Sequence, residues 1–358
     1  MKAVRIFEFG GPDKLRYDEF PMPDVGRRDV LVKVMATTVS RWDIKYRSGE
    51  VHGFARQMGA HGGHTGRRAF PMPMQLGRDA AGTVVESGGE ARRFRPGDRV
   101  IALPHPDNPT SVETIRGLGN LSSGVDLPGH TMFGGNAQYV AWPEDYWLPI
   151  SDALAFDAAA AAMWACSTAC HIVSSRLNVR INDRMLVTGA AGGMGTATVQ
   201  MARLAGASVI ATTRTRAKTD ALIAIGAEHV IDVSTGDALA QIKALTRDQG
   251  VDKAVEFTGA EAMMRLCIDA MRLGGTLCPV AGEAAMLPLR VSDLVAKELN
   301  VLGVRASTRN DQRMVVDLLE QGKLRVPIYA TLPLSRIADA HRMMDDANLF
   351  GRVVLHPW

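Results

Sequence analysis

The chain has 358 residues, of which 46% are hydrophobic and 22% charged, and its net charge is only +3. That length exceeds the roughly 250–300 residues at which a single core stops growing, so two domains are expected in a globular protein. The small net charge and the lack of a basic run interleaved with aromatics exclude nucleic acid as a partner. The first residues, Met1-Lys2-Ala3-Val4-Arg5-Ile6, read as a strand and not as a signal peptide, and no apolar run approaches the roughly 20 residues that span a bilayer, so a cytoplasmic protein without a membrane partner is expected.

Over residues 1–150 the pattern is one of short strands and turns. Residues 30–35 and 80–86 alternate or run apolar, Arg95-Pro96-Gly97-Asp98 is a turn feeding a strand, and residues 138–141 form another. Many short strands punctuated by Gly and Pro predict an antiparallel, barrel-like domain. Two stretches interrupt it. Residues 49–73 are Gly-rich and hold His52, His61 and His64, and residues 103–135 carry Pro104, Pro106, Pro109 and Pro128. Long stretches of this kind in a compact domain tend to be functional loops. The three histidines read as a solvated loop in preference to a metal site, because few acids and no cysteine accompany them. Cys166, Cys170, Cys267 and Cys278 form no C-x-x-C pair, and buried thiols are expected in preference to disulfides.

From about residue 151 the texture becomes an alternation of helix and strand. An alanine-rich helix over residues 153–173 is followed by strands at 185–188, 209–212, 229–232, 253–257, 276–280 and 301–304. Such repetition predicts a doubly wound parallel sheet of the Rossmann type. The remainder holds helices at 314–321 and 335–345 and a final strand at 352–355 that returns to the first domain. The expected division is residues 1–155, 156–306 and a C-terminal segment, 307–358.

The stretch from Met185 to Ala205 carries the chemistry. An apolar strand runs into Gly189-Ala190-Ala191-Gly192-Gly193-Met194-Gly195, and a helix-spaced apolar pattern follows. Glycine tolerates positive φ and lets backbone approach a bulky anion, and a helix start offers free N–H groups and the positive end of its dipole. A pyrophosphate fits there; a turn that only needs small residues is the alternative. Past the next strand comes Thr212-Thr213-Arg214-Thr215-Arg216-Ala217-Lys218, where a dinucleotide with a free ribose diol usually meets an acid. No carboxylate follows that strand directly, and the hydroxyl of Thr213 with Arg214, Arg216 and Lys218 suits a 2′-phosphate, so NADP(H) is expected over NAD.

Further stretches now add up. P-x-P-x-x-G-x-x-D-V-L-V-K-V (residues 21–34), L-G-R-D-A-A-G-T-V-V (76–85), R-P-G-D-R-V (95–100), G-G-N-A-Q-Y-V (134–140), V-T-G-A-A-G-G-M-G (187–195), V-D-K-A-V-E-F-T-G (251–259) and F-G-R-V-V-L near the end cover almost the whole length. In these the chain resembles the medium-chain dehydrogenase/reductase superfamily, and the A-A-G-G-M-G turn is similar to that of its zinc-independent quinone oxidoreductase and enoyl reductase branch. The resemblance implies an α/β fold with a GroES-like, mostly antiparallel β-barrel catalytic domain beside the Rossmann domain. It implies that Thr168, Thr258, Gly274-Gly275, Val280, Ala281 and Gly282 border the cofactor, and that residues 300–305 pair two copies into a homodimer. It also tests zinc position by position: Ser40 replaces a cysteine, Arg78 a histidine and Trp164 a second cysteine, and none of the three is a zinc ligand.

Without a metal, a small-molecule carbonyl or quinone must be activated by hydrogen bonds. Lys45 falls where the resemblance places a proton-handling group, Tyr46 takes the role if the register shifts by one, and Ser40 and Asp43 are the nearby polar candidates. Arg78 and Asp79 are expected to form an ion pair in the vacated metal position. Delocalised charge on an enone or quinone needs less stabilisation than a localised alkoxide, which favours conjugated substrates. An NADP-dependent alcohol dehydrogenase or carbonyl reductase, and a non-catalytic NADPH-binding protein, are the alternatives.

Overall fold

A computed structural model describes residues 1–50, 72–281 and 286–358; the histidine-bearing stretch with His52, His61 and His64, and Gly282, lie outside the described residues. The chain divides into two compact units, Met1–Ser167 with Ala306–Trp358, and Thr168–Arg305. The first division falls twelve residues beyond 155/156 because one apolar helix straddles it.

The first unit begins with β1 (Lys2–Arg5), β2 (Arg16–Glu19) and β3 (Asp29–Val39), the last running into α1 (Arg41–Ser48). Val30, Val32 and Val34 of β3 are fully buried, as the alternation requires. Ser40 caps α1 by accepting from the Asp43 N–H while the Asp43 carboxylate accepts from the Ser40 N–H, a reciprocal capping box that ends the strand and starts the helix. β4 (Ala80–Ser87), β5 (Arg99–Ala102), α2 (Val112–Ile115), β6 (Tyr139–Pro143), β7 (Trp147–Pro149) and α3 (Phe156–Cys170) follow. Trp142 and Trp147 stack at 5.0 Å in the core beneath this sheet.

The second unit contains β8 (Arg184–Val187), α4 (Gly193–Leu204), β9 (Ser208–Thr213), α5 (Thr219–Ala224), β10 (His229–Asp232), α6 (Ala238–Thr246), β11 (Val251–Glu256), α7 (Glu261–Ala270), β12 (Met271–Pro279), α8 (Val291–Lys297) and β13 (Asn300–Val301). All six strands are parallel in the order β10-β9-β8-β11-β12-β13, the doubly wound dinucleotide-binding arrangement with β8 at the centre. The edge strand expected over residues 300–305 is cut to two residues. Leu302 N–H still reaches the Leu277 carbonyl at 2.9 Å, but the Gly303 carbonyl turns to the Arg176 guanidinium and the chain leaves the sheet.

The chain then returns to the first unit with α9 (Arg309–Glu320), β14 (Ile328–Pro333), α10 (Ile337–Met343) and β15 (Arg352–His356). β15 pairs antiparallel with the C-terminal end of β3 while β6 pairs with its N-terminal end, giving the path β14-β15-β3-β4-β5-β7. As expected, this sheet is mostly antiparallel; the described residues do not close it into a complete barrel. One helix, Phe156–Arg176, passes the length and composition test for a membrane span that the sequence reading denied to every segment; 83% of its most apolar window is buried, which marks a core helix. The four cysteines are buried and none is in a disulfide.

His341 on α10 shows how a buried titrating group is held. Its Nδ1 lies 3.1 Å from Arg47 Nη1, and because a guanidinium only donates, Nδ1 must be the bare acceptor. Burial, with the Arg47 charge second, pushes the imidazole down to about 3. The unfolded chain takes up a proton near pH 6.5 and the folded one does not, so this group favours folding above pH 6.5 and loses that contribution as pH falls. Between pH 7 and pH 5 a loss of about 2 kcal/mol is expected in denaturant unfolding, and it should shrink in His341→Gln.

Candidate active site

In the second unit, β8 delivers the chain into the glycine turn. Gly189 has φ +64°, and a Cβ on Gly195 would stand 2.3 Å from the Gly189 carbonyl oxygen, so α4 can pack this close to the turn only with glycine there. The N-cap of α4 is Gly192, which offers no side chain to the helix start, leaving Gly193 and Met194 to present backbone to an anion, with Ala190 buried under the turn. The turn is held from below by Glu256, a fully buried carboxylate at the end of β11. It accepts from Thr188 Oγ1 at 3.0 Å, from the Thr258 N–H at 2.7 Å and from the Gly259 N–H at 2.9 Å, while its own carbonyl accepts from the Val280 N–H at 2.9 Å. One residue thus ties together the segments that follow β8, β11 and β12, among them Thr258 and Val280; Ala281 comes next, and Thr168 is buried where this unit begins. The sequence reading missed Glu256, whose signal was an acid closing the strand Val251–Glu256 directly after the buried Ala254 and Val255.

At the end of β9, Thr213 Oγ1 accepts from the Thr215 N–H at 3.1 Å, and Arg214 and Arg216 are exposed with Lys218 beside them. The neighbourhood is less purely cationic than the sequence suggested. Asp232 of β10 sits opposite Thr213 in the sheet register, a carboxylate supplied by a neighbouring strand. Ser234 Oγ at 2.6 Å and the Ser234 N–H at 3.0 Å bond Asp232, and together with Arg216 they hold the carboxyl below its usual range.

In the first unit the candidates converge around the turn after β3. Asp43 faces inward from α1. Its Oδ2 accepts from Ser40 Oγ at 2.6 Å and its Oδ1 from the Gly77 N–H at 3.1 Å, so Ser40 and Asp43 are committed to fixing α1 against the segment that carries Arg78. Gly77 has φ +97°, and a Cβ there would collide with Asn136. Arg78 is buried. Its Nη2 donates to the Pro104 carbonyl, its guanidinium stacks 4.0 Å from the Trp164 ring centre, and it hydrogen-bonds Tyr46. Burial pushes Arg78 below its ordinary value, with Tyr46, Asp43 and Asp79 opposing that.

The expected Arg78–Asp79 ion pair is not the arrangement observed. Asp79 Oδ2 instead pairs with Arg352 Nη2 of β15 at 2.7 Å and accepts from Thr38 Oγ1 at 2.6 Å, while Oδ1 accepts from the Trp164 N–H at 3.1 Å. Arg78 is drawn away by the indole face and by the Pro104 carbonyl. Lys45 points elsewhere on α1, its Nζ 3.4 Å from Glu50 and 5.8 Å from the Trp42 ring centre. Tyr46 is the residue that α1 turns inward. Its hydroxyl lies 3.1 Å from His130 Nδ1, and the two rings overlap at 4.6 Å. The His105 ring lies tilted against Trp164 at 5.3 Å and bonds Ser307 Oγ at 2.9 Å. Neither His130 nor His105 was singled out from sequence, because both lie in the proline-rich stretch that has no periodicity to read.

Comparison with known proteins places this geometry. Residues 26–152 match the Alcohol dehydrogenase GroES-like domain and residues 193–321 the Zinc-binding dehydrogenase family. A solved structure described as AibC is 32% identical, with a TM-score of 0.90, covering 100% of this chain and 96% of that one. The chain belongs to the medium-chain dehydrogenase/reductase superfamily. This medium-chain dehydrogenase is also 26% identical to the quinone oxidoreductase of Rattus norvegicus, over 99% of its own length and 97% of the relative. It is 27% identical to the NAD-dependent alcohol dehydrogenase of Saccharolobus solfataricus over the full length of both. It is therefore an oxidoreductase whose cofactor class is a pyridine nucleotide.

One matched family is named for zinc, and the fit of that metal to this medium-chain dehydrogenase can be judged from its donors. At the three positions stand a hydroxyl already engaged by Asp43, a guanidinium, and an indole. A cation cannot ligate a cation, and Arg78 Nε is buried without a hydrogen-bond partner, so it adds no donor of the required kind. Among the described residues no three His, Cys, Asp or Glu side chains group as a metal site. These residues do not fit zinc.

Proposed function

We propose that this chain is an NADP(H)-dependent, zinc-independent reductase of conjugated carbonyls, enones and enals, or of quinones. The observation that carries the reading is the Arg78–Trp164 stack at two of the positions where zinc enzymes of the family place ligands. Arg214, Arg216 and Lys218 past β9 support the phosphorylated coenzyme, and Asp232, whose Oδ1 already accepts from Ser234 Oγ and the Ser234 N–H, is poorly placed to claim a ribose diol.

The bound nicotinamide supplies a hydride. The protein's own part is to hold the glycine turn rigid through Glu256, to orient the substrate oxygen, and to provide a proton. With a conjugated acceptor, negative charge spreads over several atoms and neutral or cationic donors suffice where a simple ketone would call for a Lewis acid.

The test is NADPH consumption with a panel of enones, enals, quinones, saturated ketones and alcohols, with and without a strong zinc chelator. Turnover confined mainly to the conjugated substrates and indifferent to chelation is expected. Activity that disappears with the chelator and returns with zinc, or that is confined to alcohols, overturns the reading.

A further inference from the structure

We propose that a cleft at the amino ends of β8, β9 and β10 is a second ligand site, one that takes a small carboxylate bearing hydroxyl groups. This site goes beyond the coenzyme and substrate reading and does not depend on it. The cleft has a volume of about 320 Å³, at the low end for a small-molecule pocket, and its lining, from Asn182 to Leu245, lies wholly in the second unit. In a doubly wound sheet the coenzyme sits outside the carboxyl ends of the strands. Arg184, in the cleft wall, opens β8, whereas Val187 closes β8 and leads to the glycine turn, so three strand steps, about 10 Å, separate the two.

The backbone shapes the rim. Asn182 and Gly206 both have positive φ, +69° and +90°, and the Asn182 N–H donates to the Gly206 carbonyl at 2.9 Å, so the segments before β8 and β9 bend together there. The two cations of the lining are set from different elements. Arg184 Nη1 donates to the Thr246 carbonyl at 3.2 Å and to Gln249 Oε1 at 2.9 Å, which fixes its guanidinium under the end of α6. Arg203, on the last turn of α4, lays its stem against Gly226, where a Cβ would stand 3.1 Å from Arg203 Cγ. Its guanidinium has no ion-pair partner among the described residues, so its charge is directed into the cleft mouth without an acid to answer it.

The lining charges select the ligand. Arg184 and Arg203 are two cations against the one carboxylate of Glu228, which leaves a surplus of a single positive charge. That surplus matches a monoanion, and a guanidinium fork matches a carboxylate; a phosphate dianion would be overcharged for the site and repelled by Glu228. Glu228, whose Oε1 lies 3.7 Å from His229 Nε2, is an acceptor when ionised, and Ser208 and Asn182 add further accepting oxygens. The ligand must therefore bring donors as well as its carboxylate, and hydroxyl groups supply them.

The experiment is isothermal titration calorimetry of gluconate, hexanoate and inorganic phosphate into the full chain, first without coenzyme and again with NADPH present. Wild type is compared with Arg203→Ala and Glu228→Gln, both at exposed side chains, with the melting midpoint measured on each. Gluconate should bind wild type with a Kd of about 1 mM, the affinity expected of a ligand of its size. NADPH should leave that value within about twofold, since the two ligands do not share a site. Arg203→Ala should weaken gluconate about tenfold by removing one charge-assisted contact. Hexanoate, which lacks the hydroxyls, should bind wild type about tenfold more weakly than gluconate, and in Glu228→Gln that preference should shrink to within about threefold. Absence of gluconate binding, or equal gluconate affinity in wild type and Arg203→Ala, overturns the site. Displacement of gluconate by NADPH also overturns it, because it moves the anion to the glycine turn. Phosphate binding more tightly than gluconate, or a gluconate preference that survives in Glu228→Gln, overturns the ligand class. None of these readouts involves turnover, so their failure leaves the proposed function standing.

Discussion

Replacing Arg352 with methionine is expected to lower the stability of the first unit by about 3–5 kcal/mol, the usual cost of removing one partner from a buried ion pair. Arg352 and Asp79 are 5% and 1% exposed, and their 2.7 Å contact spans residues 273 apart in sequence, clamping β15 against the segment that carries the site. Asp79 is already pushed above the ordinary carboxylate value by burial, with Arg352 the chief opposing influence, then Thr38. Without Arg352 the carboxyl rises further. Its ionised form then costs the folded state at neutral pH, and protonation relieves that cost as pH falls. Denaturant unfolding should therefore show the largest gap between wild type and Arg352→Met near pH 7 and a smaller one at pH 5. Arg352→Met combined with Asp79→Leu should recover much of the loss, because apolar groups of similar volume often replace a buried pair at little net cost. A single variant as stable as wild type would show that the pair does not hold the strand.

The second large effect is expected on coenzyme choice. Changing Arg214 and Arg216 together to alanine should weaken NADPH binding about 100-fold, taking each charge-assisted bond at about 1.4 kcal/mol because both side chains are exposed and screened. NADH binding should move by less than about threefold, since it has no 2′-phosphate to lose. Fluorescence titration of both coenzymes on wild type and the double variant reads this directly. An equal loss for both would mean that the arginines support the fold of the loop, and wild-type preference for NADH would return the site to Asp232.

Much of this architecture was legible in the chain. The parallel sheet followed from apolar strands at regular spacing, and the glycine turn from residues whose backbone demands are local. Legibility failed where partners come from far away. Asp79 lies beside Arg78 in sequence, so an ion pair between them was the natural reading, yet the decisive cation arrives on β15. Asp232 is likewise invisible as a neighbour of Thr213 until β10 is laid against β9. Lys45 and Tyr46 are adjacent, and only the packing of α1 against Ile6, Met74 and Leu76 decides that the phenol turns inward. His130 and His105 sit in a stretch held by irregular turns, where neither the helical nor the strand period has any purchase.

The route of the chain sets an order on synthesis. Residues 168–305 make up the second unit and are complete before β14 and β15 leave the ribosome, whereas β3, made early, has one edge filled by β15 and an indole bond from Trp358 to the Val34 carbonyl at 2.7 Å. The nascent first unit must therefore wait, with the last three residues of its longest strand lacking their β15 partner, while the nucleotide-binding unit assembles. An unfinished strand edge is a template for pairing with other chains, so this interval, more than the finished fold, is where the chain is exposed to mispairing.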